Sequence, residues 1–105
     1  MRAGDLLFCS GQLGTRDGAL VDGATAQLTQ AIANLATVLA THGADLTAVV
    51  KTTVFVTDLG GFAELNGAYA TAFGDHRPAR SAIQVAGLPL GADVEIEAVA
   101  HLGPV

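Results

Sequence analysis

The sequence predicts an α/β sandwich in which one β-sheet carries two helices, and three observations lead there. Two stretches repeat apolar residues at helical spacing, Leu28, Ile32, Leu35 and Leu39, then Phe62, Leu65, Tyr69 and Phe73. Each therefore presents one apolar stripe to a sheet. Several other stretches alternate with period two or run continuously apolar, which marks strands. Their order along the chain is strand, helix, strand, helix, strand, strand, the arrangement of a layered α/β domain. With 105 residues the chain forms a single domain, 1–105, able to bury roughly two-thirds of its unfolded surface.

Taken in order, Asp5-Leu6-Leu7-Phe8-Cys9-Ser10 is a short strand that ends at Gly11. Its unalternating run predicts burial on both faces. Thr15-Arg16-Asp17-Gly18 is a hairpin signal, because Asp-Gly supplies positive φ at the loop. Asp22 is the candidate N-cap of the first helix, and Gly43, after His42, its candidate C′ residue. Ala48 to Thr57 is the central strand, with Val50, Thr52, Val54 and Val56 on one face and Val49, Lys51, Thr53, Phe55 and Thr57 on the other. Both faces are partly apolar, as expected if helices cover one and other subunits the second. The second helix is capped near Asp58 and stops at Gly74, with Asn66 half buried beside its stripe.

Pro78 leads into a strand in which Ala79, Ser81, Ile83 and Val85 share one face and Arg80, Ala82, Gln84 and Ala86 the other. In the last strand Val94, Ile96, Ala98 and Ala100 oppose Asp93, Glu95, Glu97, Val99 and His101. Local spacing pairs these two strands as a hairpin around Leu88-Pro89-Leu90-Gly91.

Half of the residues are hydrophobic and 14% are charged, a high apolar share for a lone domain, so part of that surface is expected between subunits. The net charge of −5 and a pI near 4.8 argue against binding nucleic acid through its phosphates. One cysteine excludes an internal disulfide and a cysteine-rich zinc site. Cys9 reads as a small buried hydrophobe. His42, His76 and His101 have no ligand spacing, so no metal is expected, and no phosphate-binding glycine loop occurs, so no cofactor is expected either. No apolar run approaches the roughly 20 residues of a membrane span, and no leader precedes the first strand. A cytoplasmic protein is the expectation.

Arg80 is the first candidate for chemistry. Its planar fork of donors, on a rigid strand among small neighbours, suits a small carboxylate. The competing reading is a structural ion pair with Glu95, Glu97 or another chain. Gly11, lacking Cβ, either lets backbone approach a ligand or merely ends a strand. Ser81 points away from Arg80, and no histidine is placed to activate it.

The segments Pro78-Ala79-Arg80-Ser81, Val85-Ala86-Gly87-Leu88-Pro89 and Val94-Glu95-Ile96-Glu97-Ala98, with Ser10-Gly11-Gln12 and Val50 to Asp58, resemble the Rid family of reactive-intermediate deaminases. That family is also called YjgF-like or L-PSP endoribonuclease. The resemblance implies a chorismate-mutase-like fold, in which the last strand inserts between the first and central strands and the Arg80 strand lies beside the central one. It further implies a homotrimer with helices outside and ligand clefts between subunits.

By the same resemblance, Arg80 binds a substrate carboxylate, Glu95 orients water, Asn66 and Gly11 line the cleft, and Glu97 is the weaker competitor of Glu95. The implied activity is that of a 2-iminobutanoate/2-iminopropanoate deaminase, hydrolysing 2-aminoacrylate-type intermediates to 2-keto acids and ammonia. A non-catalytic trimer that binds small carboxylates is the alternative, and an endoribonuclease the weaker one. The sequence departs from the family in three places. The sequence starts at Met1-Arg2-Ala3-Gly4, just before the first strand, with no equivalent of the Tyr-bearing segment that usually opens family members, Ala82 replaces a frequent Cys, and the loop before Pro78 is short.

Overall fold

The computed structural model describes residues 1–103. Its five-stranded sheet is built from β1 (Arg2–Ala3), β2 (Leu6–Leu13), β5 (Val49–Val56), β6 (Ala79–Gln84) and β7 (Val94–His101). A separate hairpin consists of β3 (Thr15–Arg16) and β4 (Ala19–Leu20). Two helices, α1 (Ala24–Ala40) and α2 (Phe62–Phe73), cover one face.

The sheet order is β1-β2-β7-β5-β6, with β5 and β6 parallel and every other pair antiparallel. The last strand thus inserts between β2 and β5, as the resemblance implies. The hairpin expected from local spacing does not form. Residues 85–93 instead carry the chain across β5 to its far side, where the alternating Val94, Ile96, Ala98 and Ala100 are all buried. Pairing on both edges gives β7 the backbone partners of a central strand along most of its length.

The helical stripes are as expected except at Phe62, which is only partly buried and stays outside the core. Leu28, Ile32, Leu35 and Leu39 on α1, and Leu65, Tyr69 and Phe73 on α2, join the strand residues in one core. Asp17 and Gly18 both have positive φ and turn the β3–β4 hairpin. Gly74 ends α2 with positive φ.

Five local expectations are corrected. Asp22 does not cap α1; Gly23 occupies that position without a side-chain bond. Asp58 caps a short 3₁₀ turn, Leu59–Gly61, by accepting from the Gly60 N–H, so α2 begins only at Phe62. Gly43 has positive φ, but α1 ends at Ala40 with Thr41 as its C-cap, which puts the glycine one residue beyond C′. The strand containing Gly11 does not stop there. It continues to Leu13 through a bulge, since Cys9 faces Ala98 while Gln12 faces Ile96. A second bulge at Val50 reverses the alternation of the central strand, because Val49 pairs with Ala100 and Lys51 with Val99. Val49 is consequently buried on the helix side, and Val50 is 46% exposed. A bulge adds one residue to one strand and shifts every side chain before it to the other face.

The face of the sheet away from the helices is open. Phe8 and Ile83 are 47% and 45% exposed there, whereas the sequence predicted burial on both faces of the first strand.

Candidate active site

Arg80 projects from β6 toward α2. Its register partner on β5 is Thr52, which also faces the helices and is wholly buried. The guanidinium carbon lies 4.7 Å from the Tyr69 ring centre and 5.2 Å from that of Phe62. Nη1 donates to the Asn66 side-chain oxygen at 2.6 Å. Phe62, Asn66 and Tyr69 stand at i, i+4 and i+7, one line along α2, so a single helical stripe forms the whole cradle.

The open surroundings expected from the small residues of β6 are therefore filled by rings from the helix, and Asn66 is exposed rather than half buried. Among the described residues the one ion pair is Arg2 with Asp5, at 3.9 Å. Arg80 is exposed, and its structural partners are neutral.

Glu95 lies elsewhere. It is level with Phe55 on β5, and Phe55 is level with Ile83 on β6. Three positions separate Phe55 from Thr52 on an unbulged stretch, so Glu95 points to the open face and Arg80 to the helix face. The bulge in β2 brings Gly11 under the Glu95 carboxylate. A Cβ at position 11 would stand 2.2 Å from Oε2 and 2.7 Å from Cδ. Gly11 and Glu95 thus belong together, as do Arg80 and Asn66, and within one chain the sheet separates the two pairs.

Glu97 is exposed on the open face. It borders a concavity of about 410 Å³ with Lys51, Thr53, Phe8 and Ser10. Ser81 faces the same way and accepts from Lys51 Nζ at 2.8 Å. A second concavity, about 700 Å³, lies between the N-termini of α1 and α2 and is lined by Asp22, Asp58, Glu64 and Asp93. None of the site residues predicted from sequence borders it.

Cys9 is buried, and that burial pushes its thiol up against a smaller opposing pull from the N-terminal ammonium. His76 is engaged by the Val49 carbonyl at 2.6 Å, and His101 by the Gly103 carbonyl at 3.1 Å. The sequence reading missed the aromatic cradle. The signal was present in the i, i+4, i+7 spacing, but the rings were assigned to the core alone.

Comparison with known proteins adds to this geometry. The family profile described as Endoribonuclease L-PSP matches residues 1–102. Rat 2-iminobutanoate/2-iminopropanoate deaminase is 46% identical over 101 residues, spanning 93% of this chain and 74% of that protein. The chain belongs to the YjgF-like, or Rid, family. A family member of solved structure, RidA from the Antarctic bacterium Psychrobacter sp. PAMC 21119, superposes with a TM-score of 0.93 at 38% identity, covering 96% of this chain and 84% of that one. Escherichia coli TdcF, solved with bound serine, superposes at 0.92 with 32% identity, covering 98% and 85%.

Proposed function

We propose that the protein is an enamine/imine deaminase, converting 2-aminoacrylate-type intermediates to 2-keto acids and ammonia. The observation that carries this reading is the state of Arg80, a strand-borne guanidinium with neutral partners and, among the described residues, no carboxylate to neutralise it. Such a fork is suited to a substrate carboxylate, and a charge-assisted hydrogen bond contributes about 1.5–3 kcal/mol. The names of relatives such as the rat deaminase support the reaction class, and the serine bound to TdcF supports a small carboxylate as ligand class.

The chemistry needs little from the protein. The enamine takes a proton on its methylene carbon and becomes a protonated imine, whose carbon is electrophilic. Arg80 holds the carboxylate and so fixes that carbon. Glu95 orients one water and accepts its proton as the oxygen bonds to carbon, giving a carbinolamine. The proton returns to nitrogen, the C–N bond breaks, and ammonia leaves as the hydroxyl gives its proton back to Glu95 and the carbonyl forms. Alignment and proton transfer are the sources of rate acceleration in this scheme.

Arg80 with Asn66 and Glu95 with Gly11 lie on opposite faces of one sheet. The scheme therefore requires a second copy, so that Arg80 of one protomer meets Glu95 of its neighbour. A homotrimer closed around a threefold axis supplies three such clefts and covers the open sheet face. The test is ammonia release from freshly generated 2-iminopropanoate. Arg80→Ala should raise KM more than about tenfold, and Glu95→Gln should lower kcat by about a hundredfold or more.

The second reading, a non-catalytic carboxylate-binding trimer, draws on the serine bound to TdcF. It would be favoured by Arg80-dependent ligand binding with no wild-type turnover. The endoribonuclease activity in the family description fits a chain of net charge −5 poorly, because phosphate contacts need cationic surface.

A further inference from the structure

We infer that Tyr69, pinned by Thr52, is a positioning residue that sets the attitude of the Arg80 guanidinium. The inference rests on reading Arg80 as the carboxylate clamp and identifies what aims it. Thr52 is fully buried on β5, level with Arg80, and its hydroxyl meets the Tyr69 hydroxyl at 2.8 Å. Tyr69 is itself only 6% exposed, and its ring lies closest to the guanidinium.

A valine would fill the place of Thr52 among Val49, Val54 and Val56 without a polar atom. A buried hydroxyl is costly unless bonded, and among the described residues this one is bonded to Tyr69 alone. The pair therefore does something apolar packing would not, which is to fix a ring at a set height above the sheet. On that ring rests the guanidinium, with the Phe62 ring also within cation–π range. Asn66 takes Nη1, and the remaining donors make no hydrogen bond among the described residues. Four rotatable side-chain bonds would otherwise let this arginine sweep the edge of the sheet. Ring, amide and buried hydroxyl pair confine it and leave part of its fork free.

The test is the double variant Tyr69→Phe/Thr52→Val, which removes both hydroxyls together and so strands neither, with Tyr69→Leu removing the ring itself. Two quantities are read: KM and kcat for 2-iminopropanoate, and the side-chain ¹H–¹⁵N resonances of Arg80, which ring currents displace while the guanidinium sits over an aromatic face. The expected result for the double variant is a melting temperature within a few degrees of wild type and KM raised about three- to tenfold with kcat nearly unchanged, the pattern of lost uniform binding. Its Arg80 resonances should move toward those of a free arginine, and further in Tyr69→Leu.

Arg80→Ala separates the two claims. If it raises KM while the double variant keeps wild-type KM and wild-type Arg80 resonances, the positioning role is overturned and the clamp stands. An unchanged KM in Arg80→Ala would overturn the clamp and the positioning role with it.

Discussion

Among the described residues Arg80 meets two aromatic rings and one amide rather than a carboxylate, so these contacts hold its charge in place without cancelling it. Gly11 plays the corresponding part for Glu95, leaving the space that a Cβ would take from the carboxylate. The obstruction in Gly11→Ala would fall on the far end of a flexible side chain, which can swing aside. The expected outcome is a fold of nearly unchanged stability, within about 1 kcal/mol, and a kcat lowered roughly tenfold or more, because in the proposed mechanism a displaced carboxylate no longer aligns water. Melting temperature and ammonia-release kinetics on the same sample check both halves. The sequence offered Gly11 two meanings, close approach to a ligand or strand end; the strand runs on to Leu13, and the space a Cβ would take lies against the Glu95 carboxylate. Arg80 was legible as a residue of interest because a lone cation on an otherwise small-residue strand face stands out. Its aromatic neighbours were not, since rings on a helix stripe look the same whether they face a core or a cation.

At the scale of elements, α1 docks through specific polar contacts as well as its apolar stripe. The Asn34 amide donates to the carbonyls of Leu13 and Thr15, at 3.0 and 2.9 Å, on either side of Gly14. Buried Gln27 accepts from the Asp93 N–H at 2.9 Å, tying α1 to the start of β7. Gly14 lies directly beneath this helix, where a Cβ would stand 2.4 Å from the Gln27 Cα and carbonyl oxygen. Backbone cannot swing aside as a Glu side chain can. Gly14→Ala should therefore destabilise the fold by about 1–3 kcal/mol, as overpacking does, which denaturant unfolding will measure. Helix stripes and the Asp17-Gly18 hairpin were readable in sequence, since each repeats or specifies a local geometry. The bulges at Val50 and Gly11 were not, because an inserted residue becomes visible only when two strands are laid side by side. The capping role of Asp22 failed for a similar reason, with Gly23 intervening at positive φ.

For the whole molecule, the decisive fact is that one mixed sheet has a helix-covered face and an open face, with the proposed clamp on the first and the proposed water-orienting acid on the second. Strand order followed from the family resemblance, whereas local spacing favoured a hairpin that would have left β7 at an edge. The separation of Arg80 from Glu95 was not legible, because facing depends on the register of three strands at once. A functional site built from both residues must be shared between copies. Mixing two individually impaired proteins tests this most directly: Arg80→Ala and Glu95→Gln chains are unfolded together in equal amounts, refolded, and assayed for ammonia release from 2-iminopropanoate well below the wild-type KM, where both parents are nearly silent. In the proposed trimer, random assembly gives about a quarter of the clefts an intact Arg80 from one protomer and an intact Glu95 from the next, so activity should return to about a quarter of wild type. A mixture no more active than the average of its two parents would contradict the shared site.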